Sequence, residues 1–415
     1  MKERSELWQT HRTNYFAKMP TQSVAILFAG EAPVKSADEN YQFTPNRNFY
    51  YLTGISDPKI IVTLVKTTQG NEATLFIERE NPLMARWVGE TLNAEQAKAQ
   101  SGIERVAYLD EFPAVVSTLF DRRQLESCYL DLERQQLELP PSKAITFAQQ
   151  LRAAYPALNI INAQPLLAAL RMTKSPEEIA KIEAAIALTH KGIMAMVGAL
   201  APDKTENEIE AYFDFTLKQG GASDFAFPTI CATGKNATIL HYTANNQRLG
   251  NDDVILFDLG AQIEYYNADI SRTFPVSGKF SDRQKQIYAI VLAAMKAVEA
   301  HVKPGVTLME LNQIATDVLA TGCLEIGLIH ERAEIQEYYI HSIGHHLGLD
   351  THDVTIANQP LAAGMVITNE PGLYIAAEGI GIRIEDDLLV TATGCRNLSV
   401  AIPKEIAEIE AIMQK

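Results

Sequence analysis

The pattern of apolar and polar positions changes character near residue 170. Before it, short apolar runs alternate with helical stretches. Ser23–Phe28 (S-V-A-I-L-F), Ile60–Val65 (I-I-V-T-L-V) and Ala73–Ile77 (A-T-L-F-I) are uninterrupted, rich in β-branched residues and too short for helices, so they predict strands. From Ser142, S-K-A-I-T-F-A-Q-Q-L-R-A-A spaces its apolar residues as a helix does. These signals predict an N-terminal α/β domain over residues 1–170. Asn46–Gly54 (N-R-N-F-Y-Y-L-T-G) is dense in aromatics and closed by a glycine. Trp87, in M-A-R-W-V-G-E, either packs into that domain or is offered to a cleft or a subunit contact.

Beyond a boundary at Leu170–Lys174 the chain repeats itself. Ser175-Pro176-Glu177-Glu178 is a capping box with proline at the first helical position, opening a helix with Ile179, Ile182, Ile186, Ile193 and Val197 on one face. About a hundred residues on, Ser281-Asp282-Arg283-Gln284 opens a second helix, with Ile287, Ile290, Val291 and Val298 on its face. The first helix is followed by Pro202 and the box Thr205–Glu208, the second by Pro304 and the box Thr307–Glu310. The strands repeat too: V-I-L-F-D-L-G (Val254–Gly260) and V-I-T-N-E-P-G (Val366–Gly372) share the pattern V-I-x-x-acid-x-G. Each half reads as two helices followed by strands, and residues 171–415 as one pseudo-symmetric domain. The fold class is α/β (α+β).

At 415 residues the chain needs two or three cores. Its net charge of −15 argues against nucleic acid or an anionic membrane as partner and is compatible with a cation-binding site. No apolar run reaches transmembrane length, and the N-terminus M-K-E-R-S-E-L-W-Q-T-H-R does not read as a signal peptide. The four cysteines, Cys128, Cys231, Cys323 and Cys395, are scattered, which fits neither a disulfide framework nor a thiolate zinc site. A reducing, cytoplasmic location is the expectation.

The repeated strands place chemistry. Asp258 lies inside an apolar strand with no lysine or arginine adjacent, where an unpaired carboxylate costs several kcal/mol, on the order of a lost ion pair. Asp269, eleven residues later, returns beside it if two strands joined by a turn intervene. Glu370 is the counterpart of Asp258 in the second half, and Glu385 (G-I-G-I-R-I-E-D-D) follows it. Pseudo-symmetry brings all four carboxylates to one centre. H-S-I-G-H-H-L-G-L-D-T-H-D (His341–Asp353) holds four of the nine histidines, and His345 adds a nitrogen ligand. Gly344 and Gly348 let backbone approach closely there. Such a hard, oxygen-rich set suits two divalent ions, Mn²⁺ before a thiolate-loving metal, which can share one water, lower its pKa and polarise a carbonyl.

F-D-L-G…D-I-S-R-T-F, H-S-I-G-H-H-L-G-L-D-T-H-D, N-E-P-G-L-Y-I and G-I-G-I-R-I-E-D-D resemble the metal-site motifs of the pita-bread metallopeptidases, aminopeptidase P first and prolidase next. Ala237–Thr243 (A-T-I-L-H-Y-T), S-P-E-E-I and F-A-G-E-A-P…N-R-N-F-Y-Y-L-T-G extend the resemblance over nearly the whole chain. Methionine aminopeptidases share the C-terminal fold but not this N-terminal domain. The resemblance implies a pita-bread catalytic domain in which Asp258, Asp269, His345, Glu370 and Glu385 ligate two metals. It implies that a metal-bridging hydroxide attacks the peptide and that Glu370 takes the proton from the water. It casts His352 as hydrogen-bonding the substrate and stabilising the intermediate, with His241 and His341 as further pocket histidines. Arg383 would support the ligands from behind or anchor a carboxylate; His346 reads as scaffold. The implied substrates are peptides with proline second, and a homo-oligomer (dimer or tetramer) is implied by resemblance alone. Prolidase, a metal-free hydrolase of the creatinase kind and a non-catalytic binding module are the rivals; the intact ligand set speaks against the last two. The segment between Glu370 and Glu385 is shorter than in some aminopeptidases P, which leaves loop-borne substrate contacts open.

Overall fold

The capping signals act where they stand. In the computed structural model, which describes residues 2–134 and 136–414, Glu178 N donates to Ser175 Oγ (3.3 Å) and Ser175 N to Glu178 Oε2 (2.8 Å), starting the helix Pro176–Ala199. Ser281 and Gln284 do the same for Asp282–His301, and Thr307 and Glu310 for Leu308–Glu325. Thr205 N donates to Glu208 Oε2 (2.7 Å) ahead of the helix Glu206–Gln219. Each reciprocal bond satisfies amides that a helix start would otherwise leave bare.

The chain divides into two compact units, Met1–Arg171 and Met172–Lys415. The first is built on a six-stranded mixed sheet in the order Arg105–Tyr108, Gly70–Ile77, Ile61–Thr67, Ser23–Phe28, Ser127–Leu130, Asn159–Asn162. The strands expected at Ser23–Phe28, Ile60–Val65 and Ala73–Ile77 are there, the second shifted to Ile61–Thr67 and the third beginning earlier, at Gly70. Ser142 caps the helix Lys143–Ala154. Asn46–Gly54 becomes the helix Arg47–Thr53, capped by the Asn46 side chain and ended by Gly54 at φ +66°. Gly54 is needed for contact as well, since a Cβ there would stand 2.0 Å from the Trp8 ring. Trp87 does not pack into this unit: it is 80% exposed, on a helix, Pro82–Val88, with no buried residue.

In the second unit, Pro176–Ala199 pairs with Glu206–Gln219 and Asp282–His301 with Leu308–Glu325. Pro176–Ala199 is long and apolar enough by composition to cross a membrane, contrary to the sequence expectation, yet half of its most apolar window is buried within the protein. Ile182, Ile186, Ile193 and Val197 supply that buried face. The strands form paired small sheets: Val254–Leu259 between Ile230–Thr233 and Ile270–Pro275, and Asp386–Val390 between Val366–Asn369 and Cys395–Asn397. Asp258 lies opposite Ser271, and Asn369 opposite Asp386. Asp269 and Glu385 therefore each stand one residue before their strand, at the sheet ends that also carry Asp258 and Glu370. The return from Asp258 to Asp269 is longer than a single turn: a short antiparallel pair, Ala261–Ile263 with Tyr266–Asn267, intervenes. The halves meet through Glu385 N, which donates to Ser271 O at 3.0 Å. The four cysteines are free thiols.

Candidate metal centre and active site

Strand ends carry the acids because there a side chain leaves the ladder while its backbone stays fixed by it. Asp258, Asp269, His345, Glu370 and Glu385 line one cavity of about 520 Å³, with His241, His341, His352 and Arg383 on the same walls. Its other lining includes the apolar group Phe227, Pro228, Ile230 and Leu240. Asp269, His345 and Glu385 offer ligand atoms all within 4.8 Å of one another. His345 Nε2 lies 3.4 Å from Asp269 Oδ2 and 3.5 Å from Glu370 Oε1.

Asp258 completes the ring differently. One oxygen takes a 2.5 Å hydrogen bond from Arg383 Nη2; the other, Oδ1, is buried without a hydrogen-bond partner. The cation that sequence neighbours do not supply thus comes from a residue 125 positions away. Arg383 also donates to Ser271 Oγ (Nε, 2.8 Å) and Tyr374 Oη (Nη1, 2.9 Å). Ser271 Oγ in turn donates to Glu385 Oε2 (2.8 Å). Thr368 Oγ1 accepts from His345 N (3.0 Å) and donates to Glu370 Oε1 (3.2 Å). Arg272, fully buried, pairs with Asp386 (2.6 Å) and donates to Glu385 O (2.6 Å), which holds the backbone at Glu385 from both sides. The sequence reading missed Ser271, Thr368 and Tyr374. Each is an ordinary strand residue with at least one partner 23 or more positions away. Only their position beside a predicted ligand or inside a quoted motif could have marked them.

The histidine tautomers follow from their acceptors. His345 Nδ1 faces the carbonyl of His346 at 3.0 Å, so that nitrogen carries the hydrogen and Nε2 is left to face the carboxylates. His341 Nδ1 likewise faces Ser342 O (2.8 Å), so Nε2 accepts from Tyr374 Oη–H (2.8 Å). Hydrogen bonds then run in one direction from Arg383 through Tyr374 to His341. The His352 ring stands 4.1 Å, centroid to centroid, from that of His345. His346 is buried and absent from the cavity wall, and its backbone bridges to Ile367.

The electrostatics are those of a cation site. Burial, with the charge of Asp258, pushes the Asp269 carboxyl up to about 6 against the pull of His345. Burial pushes Glu370 up to about 7, and Asp269 and Asp258 add to this while His345 and Arg383 oppose it. Glu385 is raised well above the usual carboxylate range by burial and then by Asp269, Glu370 and Asp258. Burial disfavours charge on His345, yet Asp269 and Glu370 hold its pKa up to about 9. Burial takes His341 down to about 4 and lowers His352. Four carboxylates on the walls of one cavity repel one another unless protons or a cation lie between them. The orphaned Asp258 Oδ1, the Nδ1–H tautomer of His345 and the oxygen-rich set fit hard divalent ions.

Comparison with known proteins agrees with this geometry. Residues 180–392 match metallopeptidase family M24, and residues 8–129 match the aminopeptidase P N-terminal domain. The chain is 33% identical to the Xaa-Pro aminopeptidase of Haemophilus influenzae over 98% of its length and 97% of that protein. Among solved structures, a putative aminopeptidase P from Bacillus anthracis is 49% identical, with a TM-score of 0.98, covering 99% of this chain and 98% of that one. Aminopeptidase P from Escherichia coli with the inhibitor Pro-Leu is 30% identical, with a TM-score of 0.91 over 99% and 98% of the two chains. Fold and site together define the class as a metal-dependent hydrolase. Within it, the chain belongs to the aminopeptidase P (Xaa-Pro aminopeptidase) family of the M24 metallopeptidases.

Proposed function

We propose that this chain releases the N-terminal residue from peptides whose second residue is proline, and that Asp258, Asp269, His345, Glu370 and Glu385 hold two divalent ions, Mn²⁺ by preference. The observation that carries the reading is four carboxylates lining one cavity together with His345, whose Nε2 lies 3.4 Å from Asp269 and 3.5 Å from Glu370. Ions bound there would lower the pKa of a shared water and polarise the scissile carbonyl. A dedicated enzyme suits this bond, because the proline ring fixes φ and leaves a tertiary amide that general peptidases meet poorly.

The chain's own groups supply the rest. Glu370, at the cavity wall and 3.5 Å from His345, takes the proton released as water attacks the carbonyl carbon. It passes that proton to the proline nitrogen as the C–N bond breaks. His352 and His241 face the cavity outside the ligand set and hydrogen-bond the peptide. His341, kept neutral by burial and fixed by Tyr374, lines the substrate side. Arg383 holds Asp258 in register and neutralises part of the cluster. We further propose a cytoplasmic homo-oligomer without nucleic-acid or membrane partners, in keeping with four free thiols, a net charge of −15 and an exposed apolar helix face around Trp87.

The test is a length series, Ala-Pro, Ala-Pro-Ala and longer, assayed after chelation and Mn²⁺ reloading. Hydrolysis of the tripeptide and longer members, lost in Asp258→Asn, is expected. Cleavage of Ala-Pro alone would make the chain a dipeptidase of the prolidase kind. Full activity after exhaustive chelation would overturn the metal-dependent mechanism.

A further inference from the structure

The helix Glu206–Gln219 begins with a carboxylate that the reaction does not use. Glu206 is 0% exposed. Its hydrogen-bond partners are neutral donors: Oε1 accepts from Thr233 N (2.7 Å) and Asn236 Nδ2 (3.2 Å), and Oε2 from Tyr242 Oη (2.8 Å) and Gln247 N (2.9 Å). A buried carboxylate is costly unless its oxygens are saturated in this way, and its place in the first helical turn adds the favourable end of the helix dipole. All four donors lie on Thr233–Gln247, the segment that carries His241 to the cavity wall.

The same helix grips that segment one turn on. Glu210 Oε2 accepts from Asn245 Nδ2 (2.8 Å), while Asn245 Oδ1 accepts from Cys231 N (3.1 Å). The segment is also pressed against a strand of the second half. A Cβ on Gly381 would stand 1.9 Å from Ala237 O, and Leu240 and Tyr242 pack on the cluster of Ile230, Ala237 and Tyr374. His241 therefore sits on a stretch clamped between the Glu206 carboxylate and the strand Ile380–Arg383.

We infer that Glu206 is a positioning residue for the peptidase reaction, acting through His241 by fixing the segment Thr233–Gln247. The inference rests on the proposed substrate-side role of His241. A buried acid that only stabilises the fold is the competing account, and a double-mutant cycle separates the two. Glu206→Gln keeps the shape, but its amide cannot accept on both sides. Whichever way it turns, the N–H of Thr233 or of Gln247 faces another donor.

With Mn²⁺-loaded enzyme and Ala-Pro-Ala, Glu206→Gln is expected to lower kcat/KM by about tenfold or more, and in a His241→Ala background to cost less than about twofold. Mn²⁺ affinity, read by titration of the metal-free protein, is expected to stay at the wild-type value. Tyr242→Phe removes a single bond to Glu206. It is expected to give a smaller loss, again absorbed by His241→Ala, and it serves if Glu206→Gln does not fold. Equal fold losses in both backgrounds, or wild-type kcat/KM in a folded Glu206→Gln where His241→Ala is impaired, would overturn the inference alone. An unimpaired His241→Ala would remove the substrate-side reading of that histidine and the inference with it.

Discussion

Arg383 shows how much one side chain can carry. Its guanidinium donates in three directions, to Asp258, Ser271 and Tyr374, and through the last two it reaches Glu385 and His341. Lysine keeps the charge but not the planar fork, so Arg383→Lys cannot serve all three partners at once. We expect kcat/KM to fall by about 10–100-fold in Arg383→Lys, the range for groups that orient metal ligands, with Mn²⁺ binding weakened in parallel. Steady-state kinetics with a metal titration checks it; an unchanged metal affinity would confine Arg383 to the substrate side. The acids make a second prediction, on pH. Asp269, Glu370 and Glu385 have folded-state pKa values above their unfolded ones, so each favours folding while protonated and loses that contribution as pH rises. His345, raised to about 9, also loses its contribution as pH rises through that value. Metal-free protein should therefore lose stability from these groups between about pH 4 and pH 9. His341, lowered to about 4, works the other way below about pH 6.5 in the metal-free protein. The Tm gap between metal-free and metal-loaded protein should widen with rising pH. A gap that is flat from pH 5 to pH 8 would mean that the carboxylates are not where the ions bind.

At the scale of elements, closeness is set by glycine. A Cβ on Gly344 would lie 2.3 Å from Thr368 O, the same residue whose hydroxyl joins His345 N to Glu370. Gly344→Ala must push the His341–Asp353 stretch off the strand Val366–Asn369. A loss of about 2–4 kcal/mol in stability is expected, with weaker metal binding because His345 moves too; chemical denaturation and metal titration measure both. Sequence patterning found this architecture where its causes are local. The boxes at Ser175, Thr205, Ser281 and Thr307 close within four residues, and each starts a helix where it stands. The V-I-x-x-acid-x-G repeat carried enough to bring Asp258 and Glu370 to one cavity. What escaped it depends on partners far along the chain. Arg383 meets Asp258 across 125 positions and Arg272 meets Asp386 across 114. Glu206 looked like one more acid in a capping box, although its carboxylate is spent on residues 27 to 41 positions away. Periodicity reports which face is buried; it is silent on which polar groups meet there.

For the whole molecule the open question is what covers the helix Pro82–Val88. Leu83, Met84, Trp87 and Val88 are 68%, 46%, 80% and 73% exposed, and their spacing puts them on one side of the helix. Single exposed apolar residues are common, but four contiguous ones with a tryptophan among them make a patch of the kind that marks an interface. A second copy of the chain is the occupant we favour, because the exposed aromatic is the residue type that anchors such contacts while the overall charge of −15 keeps the rest of the surface soluble. Light scattering at micromolar concentration should report a mass that is a multiple of 45.9 kDa. Leu83→Asp with Trp87→Asp should shift the population toward the single chain. Neither residue is buried, so the double variant should leave the unfolding temperature of the single chain unchanged. A wild-type mass of one chain, or an oligomer indifferent to the double substitution, would show that this face is not where copies meet.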